Sequence, residues 1–166
     1  MGHLKAKTVD DKKLLVKLIY QEIEQELERI VASATEAHSG ATHEDAVAKS
    51  KYETHGLELS YLAGAQYERA NLLKTQMTKL LEIDLSLRND DSTIDLGTVV
   101  ETEEDGQPNE YFFLSSVGAG HIVQWQAHRV KVLSPESPLG DQFMASYVGD
   151  EAELGPGNIK TIIDII

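Results

Sequence analysis

The chain has 166 residues, a formal net charge of −13 at pH 7 and no cysteine. With 41% hydrophobic and 26% charged residues, it has the composition of a folded globular protein rather than a disordered one. The charge excludes a protein that binds nucleic acid over most of its surface, because phosphate contacts need Lys and Arg. The lack of cysteine excludes disulfides, thiol nucleophiles and thiolate metal sites, which fits a reducing cytoplasm.

The amino-terminal segment from Met1 to Lys17 is mostly polar and basic, without the apolar centre of a signal peptide. No stretch of the chain approaches the roughly 20 apolar residues that a membrane span needs. We therefore expect a cytoplasmic protein that has no membrane partner.

A long amphipathic helix is predicted between Asp10 and His38, because apolar residues recur there every three or four positions. Asp10 and Asp11 are favourable in a first helical turn, so the helix is expected to begin there. A helix of about 29 residues would span roughly 43 Å. The apolar stripe comprises Leu15, Leu18, Ile19, Ile23, Leu27, Ile30, Val31 and Ala34.

A break is predicted from His38 to Thr42, where Gly40 tolerates the positive φ that ends helices. Thr42 and Asp45 have the spacing of a capping arrangement and predict the start of a second helix. Two long helices with a short connection favour an antiparallel coiled-coil hairpin. The second helix has an approximate heptad of Leu59, Ala63, Gln66, Ala70, Leu73, Met77 and Leu80, in which the alanines at 63 and 70 would allow close approach.

Two glycines, Gly56 and Gly64, lie inside the second helical segment, where each costs about 1 kcal/mol relative to alanine. Either a close packing or partner contact, or a tolerated local kink, would explain them.

Turn-forming residues from Asn89 to Ser92 separate the helices from a region of short strands. The predicted domains are a coiled-coil hairpin, residues 1–89, and a small β-rich domain, residues 90–166. A short helix is expected from Pro138 to Ser146, with Ser137 as its cap. The predicted strands are Thr93 to Glu101, Tyr111 to Val117, Val123 to Val132, Glu151 to Leu154 and Ile159 to Ile166. The core of this domain is expected to contain Tyr111, Phe112, Phe113 and Trp125.

The segment Ser137-Pro138-Leu139-Gly140, followed by Gly149-Asp150-Glu151, resembles the carboxy-terminal motif of the Gre factors, bacterial transcript-cleavage proteins that bind RNA polymerase. The motif follows a predicted helical hairpin, which is the order found in that family. The resemblance implies an α+β fold in which the second domain is a small FKBP-like antiparallel sheet with one short helix.

In the Gre factors, two acidic residues that help to hold a catalytic Mg²⁺ lie at the tip of the helical hairpin. His43-Glu44-Asp45 and Tyr52 match the spacing of the family's tip pattern, whereas Ala48 stands at its second acidic position. The resemblance implies that the hairpin enters the secondary channel of RNA polymerase. There Asp45, with Glu44, would act near the polymerase Mg²⁺, and Asp45 would share this metal with the polymerase. Because Mg²⁺ prefers carboxylates and water, one matching carboxylate predicts weak or no stimulation of transcript cleavage.

The resemblance thus implies a regulator of elongation that is not itself an enzyme and at most stimulates RNA cleavage by the polymerase. Its partner is RNA polymerase, its contact with nucleic acid is indirect, and it takes no small-molecule substrate and no cofactor of its own. The residues implied to bind the partner are His43, Tyr52, Ser137, Pro138, Leu139, Gly140, Gly149 and Asp150.

Three other interpretations of the residues are less favoured. His38, His43 and His55 near the tip suggest a metal site, but they lack a zinc-ligand spacing. The segment from Gly118 to Gly120 lacks the remaining residues of a phosphate-binding loop and is better explained as a turn. An FKBP-like interaction module with a dimerising arm, unrelated to transcription, is the alternative function.

Overall fold

The computed structural model describes residues 8–44, 53–153 and 155–166. They form a helical region followed by a six-stranded sheet with one short helix, which confirms the predicted α+β class. No helix in this described part is long and apolar enough to cross a membrane. The elements are α1 Val9–Glu44, α2 Glu53–Leu81, β1 Val99–Glu103, β2 Glu110–Leu114, β3 Ile122–Trp125, β4 His128–Leu133, α3 Pro138–Phe143, β5 Glu151–Glu153 and β6 Ile159–Ile165.

Helix α1 begins one residue before the predicted start, because Thr8 and Asp11 cap each other. The Thr8 backbone N–H donates to the Asp11 carboxylate (3.2 Å), and the Asp11 backbone N–H donates to the Thr8 hydroxyl (3.2 Å). This reciprocal arrangement satisfies two donors that a helix start would leave unpaired.

The predicted break from His38 to Thr42 is wrong, since α1 continues to Glu44 and has 36 residues. One glycine costs a helix about 1 kcal/mol, whereas a proline, which is absent from this helix, costs about 3 kcal/mol. Ala37 is still buried one turn before Gly40, so the apolar contacts that stabilise α1 extend close to the predicted break. Thr42 consequently lies inside α1 instead of capping a second helix, and α2 begins at Glu53.

The sheet has the strand order β3-β4-β2-β1-β6-β5. Four of its neighbouring pairs are antiparallel, as expected, but β2 and β4 are parallel, with Tyr111 opposite Val130 and Leu114 opposite Leu133. The sheet is therefore mixed. A parallel pair needs a crossover, and the β3 segment between β2 and β4 supplies it.

The single strand predicted from Val123 to Val132 is wrong, because the segment is the hairpin of β3 and β4. Trp125 is opposite His128, and Gln126 in the turn has a φ of 54°. A positive φ is uncommon for a residue other than glycine, so the usual sequence signal of a tight turn is missing here. The strand predicted from Thr93 likewise starts only at Val99.

One core lies between the sheet and α3. The rings of Phe112 and Phe143 meet edge to face at 5.6 Å, and Leu139 is buried beside them. The four aromatic residues predicted for the core are all buried. The cluster comprises Ile94, Val100, Phe112, Leu114, Leu139, Phe143, Ala152, Ile162 and Ile165.

The chain divides into two compact units. One contains the chain up to Glu22 and Lys79–Ile166, so the root of α1 and the end of α2 belong with the sheet. The other, Ile23–Thr78, contains the remaining parts of the two helices. That the chain has two independent domains with a boundary near residue 90 stays a prediction.

Candidate functional site

The predicted tip lies partly outside the described residues. Asp45 and Tyr52 are not described, and His43 and Glu44 belong to the last turn of α1, where only the backbone is described. The roles assigned to these four residues stay predictions. Within the described residues, no group of three or more His, Asp or Glu side chains could hold a metal ion.

The helices of the second unit have buried small side chains and share an ion pair. Ala34, Ala63 and Ala70 are almost completely buried, so the small side chains lie at packed positions as predicted. Arg69 donates to the Glu26 carboxylate at 2.7 Å. This pair joins the middle of α1 to the middle of α2. At 1.5 Å per residue, α1 is about 54 Å long and α2 about 43 Å long.

The Ser-Pro-Leu-Gly motif folds as a capped helical turn. The Ser137 hydroxyl accepts from the Gly140 backbone N–H (3.1 Å) and donates to the Ser134 carbonyl oxygen (2.7 Å), while Pro138 opens α3. A side chain at residue 140 would place its Cβ only 1.9 Å from that carbonyl oxygen. Glycine is required here by close approach, because Gly140 has no positive φ that would otherwise explain it.

The second part of the motif is a tight turn into β5. The Asp150 carboxylate accepts from the Tyr147 backbone N–H (2.9 Å), and Gly149 has a φ of 96°. The Gly149 backbone N–H donates to the Ile162 carbonyl oxygen (2.8 Å), which ties the turn to β6. These contacts are intramolecular, and Leu139 and Gly140 are buried. The motif thus shapes this part of the surface, and its predicted contact with a partner stays a prediction.

The first turns of α1 are bound to the rest of their compact unit by residues that share no sequence motif. The fully buried Trp125 donates from its indole Nε1 to the Asp11 carbonyl oxygen at 3.0 Å. Lys12 is also fully buried, and its Nζ donates to the Ser86 carbonyl oxygen at 2.9 Å. Burial, assisted by the Arg88 guanidinium, lowers the pKa of Lys12 to about 8.

A lysine among Asp10, Asp11 and Lys13 resembles any solvated first turn, so only the folded structure identifies Lys12 as a core residue. The sequence places Trp125 in the core, but the hydrogen bond from Trp125 to a residue 114 positions away has no local signal.

A chain of four charged side chains connects neighbouring strands of the sheet: Glu110 begins β2, Lys131 lies in β4, Lys160 lies in β6, and Glu104 directly follows β1. Lys160 binds Glu104 (2.7 Å) and Glu110, and Glu110 also binds Lys131. Burial opposes the charge on Glu110, but the hydrogen bonds from Lys131 and Lys160 outweigh it and lower the pKa of this carboxyl. These residues line a shallow concavity of about 800 Å³. Both carboxylates are paired with lysines. These four residues therefore leave no uncompensated charge in the concavity that would favour an ionic ligand.

Comparison with known proteins found two solved structures that are similar to this chain. A solved structure of GreA factor homolog 1 from Thermus thermophilus is 21% identical, with 89% of this chain and 94% of that chain covered and a TM-score of 0.37. A second structure, of the transcription factor Gfh1, is 20% identical over 90% and 94% of the two chains, with a TM-score of 0.37. No family model and no curated protein matches the chain.

Proposed function

We propose that this chain is a Gre-like transcription factor that binds RNA polymerase at its secondary channel and modulates elongation. The observation that supports the proposal best is a combination within one chain. A pair of long helices, α1 and α2, accompanies a small sheet domain whose Ser137-Pro138-Leu139-Gly140 segment forms a capped turn that excludes a Cβ at residue 140.

The charge of the chain supports a protein partner. At −13, the molecule is repelled by nucleic acid, so its contact with RNA or DNA is indirect and arranged by the polymerase. The chain acts as a regulator and not as an enzyme, and at most it stimulates RNA cleavage by the polymerase itself.

The tip supplies one carboxylate at a family position, Asp45, with Glu44 beside it and Ala48 at the second acidic position. Carboxylate oxygen is the ligand that Mg²⁺ prefers, so Asp45 fits a metal shared with the polymerase. The metal, when bound, would polarise a water for attack on RNA. With alanine at position 48, stimulation of cleavage is weak or absent.

The first experiment is a pull-down of core RNA polymerase with the full chain at moderate salt, followed by an elongation assay with Asp45→Ala. We expect the wild-type chain to bind the polymerase and Asp45→Ala to lose the effect on elongation while retaining binding. Failure of the wild-type chain to bind the polymerase would exclude the proposal. Equal loss of binding and effect in Asp45→Ala would mean that Asp45 is only a contact residue.

A further inference from the structure

The concavity of about 800 Å³ in the sheet domain is lined by more cations than acids, although the chain as a whole has 28 acidic and 15 basic residues. With His128 counted as neutral, its charged lining consists of three cations and two carboxylates and carries one excess positive charge. This surface therefore has the opposite sign of charge from the molecule, whose net charge is −13. The charged lining residues are Glu104, Glu110, Arg129, Lys131 and Lys160.

Both lysines of the concavity are fixed by contacts within the sheet domain. The Lys160 side chain is only 8% exposed, and its ammonium binds Glu104 at 2.7 Å as well as Glu110. Lys131 also binds Glu110, and its ammonium lies 5.7 Å from the centroid of the Phe112 ring. The excess positive charge of the concavity therefore belongs to Arg129.

Arg129 differs from the other arginines of the chain. It is exposed in β4, and it has no hydrogen bond or ion pair with another residue that the structure describes. Each of the other three arginines donates to an oxygen atom at 3.3 Å or less. The acceptors are the Gln25 carbonyl for Arg29, the Glu26 carboxylate for Arg69, and the Asp84 and Asp95 carboxylates for Arg88.

The two carboxylates of the concavity are not available to Arg129. Lys160 is almost completely buried, and a buried ammonium is strongly destabilised when it loses its carboxylate partner. Although burial opposes its charge, the hydrogen bonds from Lys131 and Lys160 keep the pKa of the Glu110 carboxyl below its ordinary value. A carboxylate that moved to Arg129 would leave a lysine unpaired, so the acceptor that fits Arg129 is an added anion.

The dimensions and chemistry of the concavity fit a small anionic molecule. Sites for small molecules have volumes of roughly 300–1,000 Å³, and this concavity lies within that range. The planar guanidinium group binds two oxygens of a carboxylate or phosphate at once. Gln107 and His128 supply further polar side chains to the lining.

We propose that the concavity binds a small molecule that carries a carboxylate or phosphate group, and that the Arg129 guanidinium binds the oxygens of this group. Arg129 is the second residue of β4, whereas the turn of the Ser137-Pro138-Leu139-Gly140 motif follows the end of this strand. Five residues of extended chain place Arg129 roughly 16 Å from Ser134. The site is therefore distinct from the motif, and the inference does not rest on the proposed function.

The test is an NMR titration of the isotope-labelled full chain with sodium acetate and, separately, with inorganic phosphate. Sodium chloride keeps the ionic strength constant, so that general screening does not change during the titration. We expect at least one of the two probes to shift the Arg129 Nε–H signal and the backbone amide signals of the concavity until they saturate. The probe that binds more tightly identifies the oxyanion group of the ligand.

Two substitutions in the concavity should change the affinity for the probe in opposite directions. Arg129→Gln should weaken binding about tenfold or more, because it removes the charged donor. Glu110→Gln should strengthen binding about threefold or more, since it removes a negative charge and releases two lysines from their shared carboxylate. A role in stability alone would not produce opposite changes in affinity, and circular dichroism checks that both variants fold.

Arg29→Gln and Glu28→Gln are the matched controls. They make the same two changes of charge at exposed positions of α1, and neither residue lines the concavity. Both variants should bind the probe like the wild type.

Two results would overturn the inference. One is the absence of saturating shifts with both probes in the wild type. The other is equal weakening by Arg129→Gln and Arg29→Gln, which would show a general attraction of anions to the cations of the chain. Neither result affects the proposed function, because the assay contains no polymerase.

Discussion

At residue 140, a single hydrogen atom in place of a side chain decides whether the motif turn can form. The distance of 1.9 Å between a Cβ at this position and the Ser134 carbonyl oxygen would be far below a van der Waals contact, and the clashing atom belongs to the backbone. The Ser134 carbonyl cannot swing away, because it accepts hydrogen bonds from the Ser137 hydroxyl and backbone N–H.

We expect Gly140→Ala to lower the free energy of unfolding by about 2–4 kcal/mol, since the strain must be taken up by the backbone of the turn. Urea unfolding followed by circular dichroism measures the change. Gly64→Ala is the matched control, because the same methyl group there meets no described atom and should raise the free energy of unfolding by about 1 kcal/mol. A loss below about 1 kcal/mol in Gly140→Ala would show that the turn relaxes.

Lys12 makes stability depend on pH in the alkaline range. Its pKa is about 8 in the folded chain, mainly because of burial, and close to 10.5 when exposed. Between these values the unfolded chain holds a proton that the folded chain has released, so stability rises as pH increases through this window. Below about pH 8 the full penalty of a buried ammonium is present.

We expect Lys12→Met to remove this dependence. At about 1.4 kcal/mol per pKa unit, the wild type should gain about 2–3 kcal/mol relative to Lys12→Met between pH 8 and pH 10.5. Urea unfolding of both proteins at several pH values tests this, and the other alkaline groups cancel in the difference. Parallel pH profiles would mean that Lys12 titrates normally.

At the scale of elements, the first turns of α1 belong to the same compact unit as the sheet. The Trp125 indole reaches the Asp11 carbonyl, Lys12 reaches the Ser86 carbonyl, and Leu15 is fully buried. The first turns of α1 are therefore stabilised by tertiary contacts as well as by the helix cap. Loss of one of these contacts should increase local unfolding in these turns before it affects the rest of the chain.

We expect Trp125→Phe, which keeps an aromatic ring but removes the donor, to cost about 1–2 kcal/mol of unfolding free energy. Hydrogen exchange should become faster in the first two turns of α1 than in β6. Gln124→Ala, an exposed change on the same strand, should stay within about 0.5 kcal/mol of the wild type. Uniform acceleration of exchange across the sheet would argue against a local role.

At the scale of the whole molecule, the proposed function separates binding from catalysis. In that proposal, the long helices α1 and α2 enter a channel of the polymerase, whereas stimulation of RNA cleavage depends on the carboxylates at the tip. In this chain the second acidic position of the tip pattern is Ala48.

Ala48→Glu should therefore create or strengthen stimulation of transcript cleavage in a backtracked polymerase complex, because a second carboxylate improves a Mg²⁺ site. Ala48→Gln, which introduces a side chain of the size of glutamate but without charge, should behave like the wild type. Shortened RNA products on a gel report the activity. Equal affinity of both variants for the polymerase, with no shortened RNA from either, would show that the tip cannot position the metal.

Much of the architecture is predictable from local patterns. The spacing of apolar residues in α1 and α2, the turn formers near residue 90, and the Ser137-Pro138 start of α3 all express preferences that act over a few residues. The site is less predictable: the motif residues are recognisable in the sequence, but that Gly140 faces a carbonyl six residues earlier follows only from the folded turn.

The sequence by itself determined the acidic character of the chain, its two regions of different periodicity and the residues capable of chemistry. Only the tertiary structure decided that α1 continues through Gly40, that β2 and β4 are parallel and that Lys12 is buried. These features depend on the free energy of contacts between residues far apart along the chain, which can outweigh a local penalty of about 1 kcal/mol and which no short window of sequence contains.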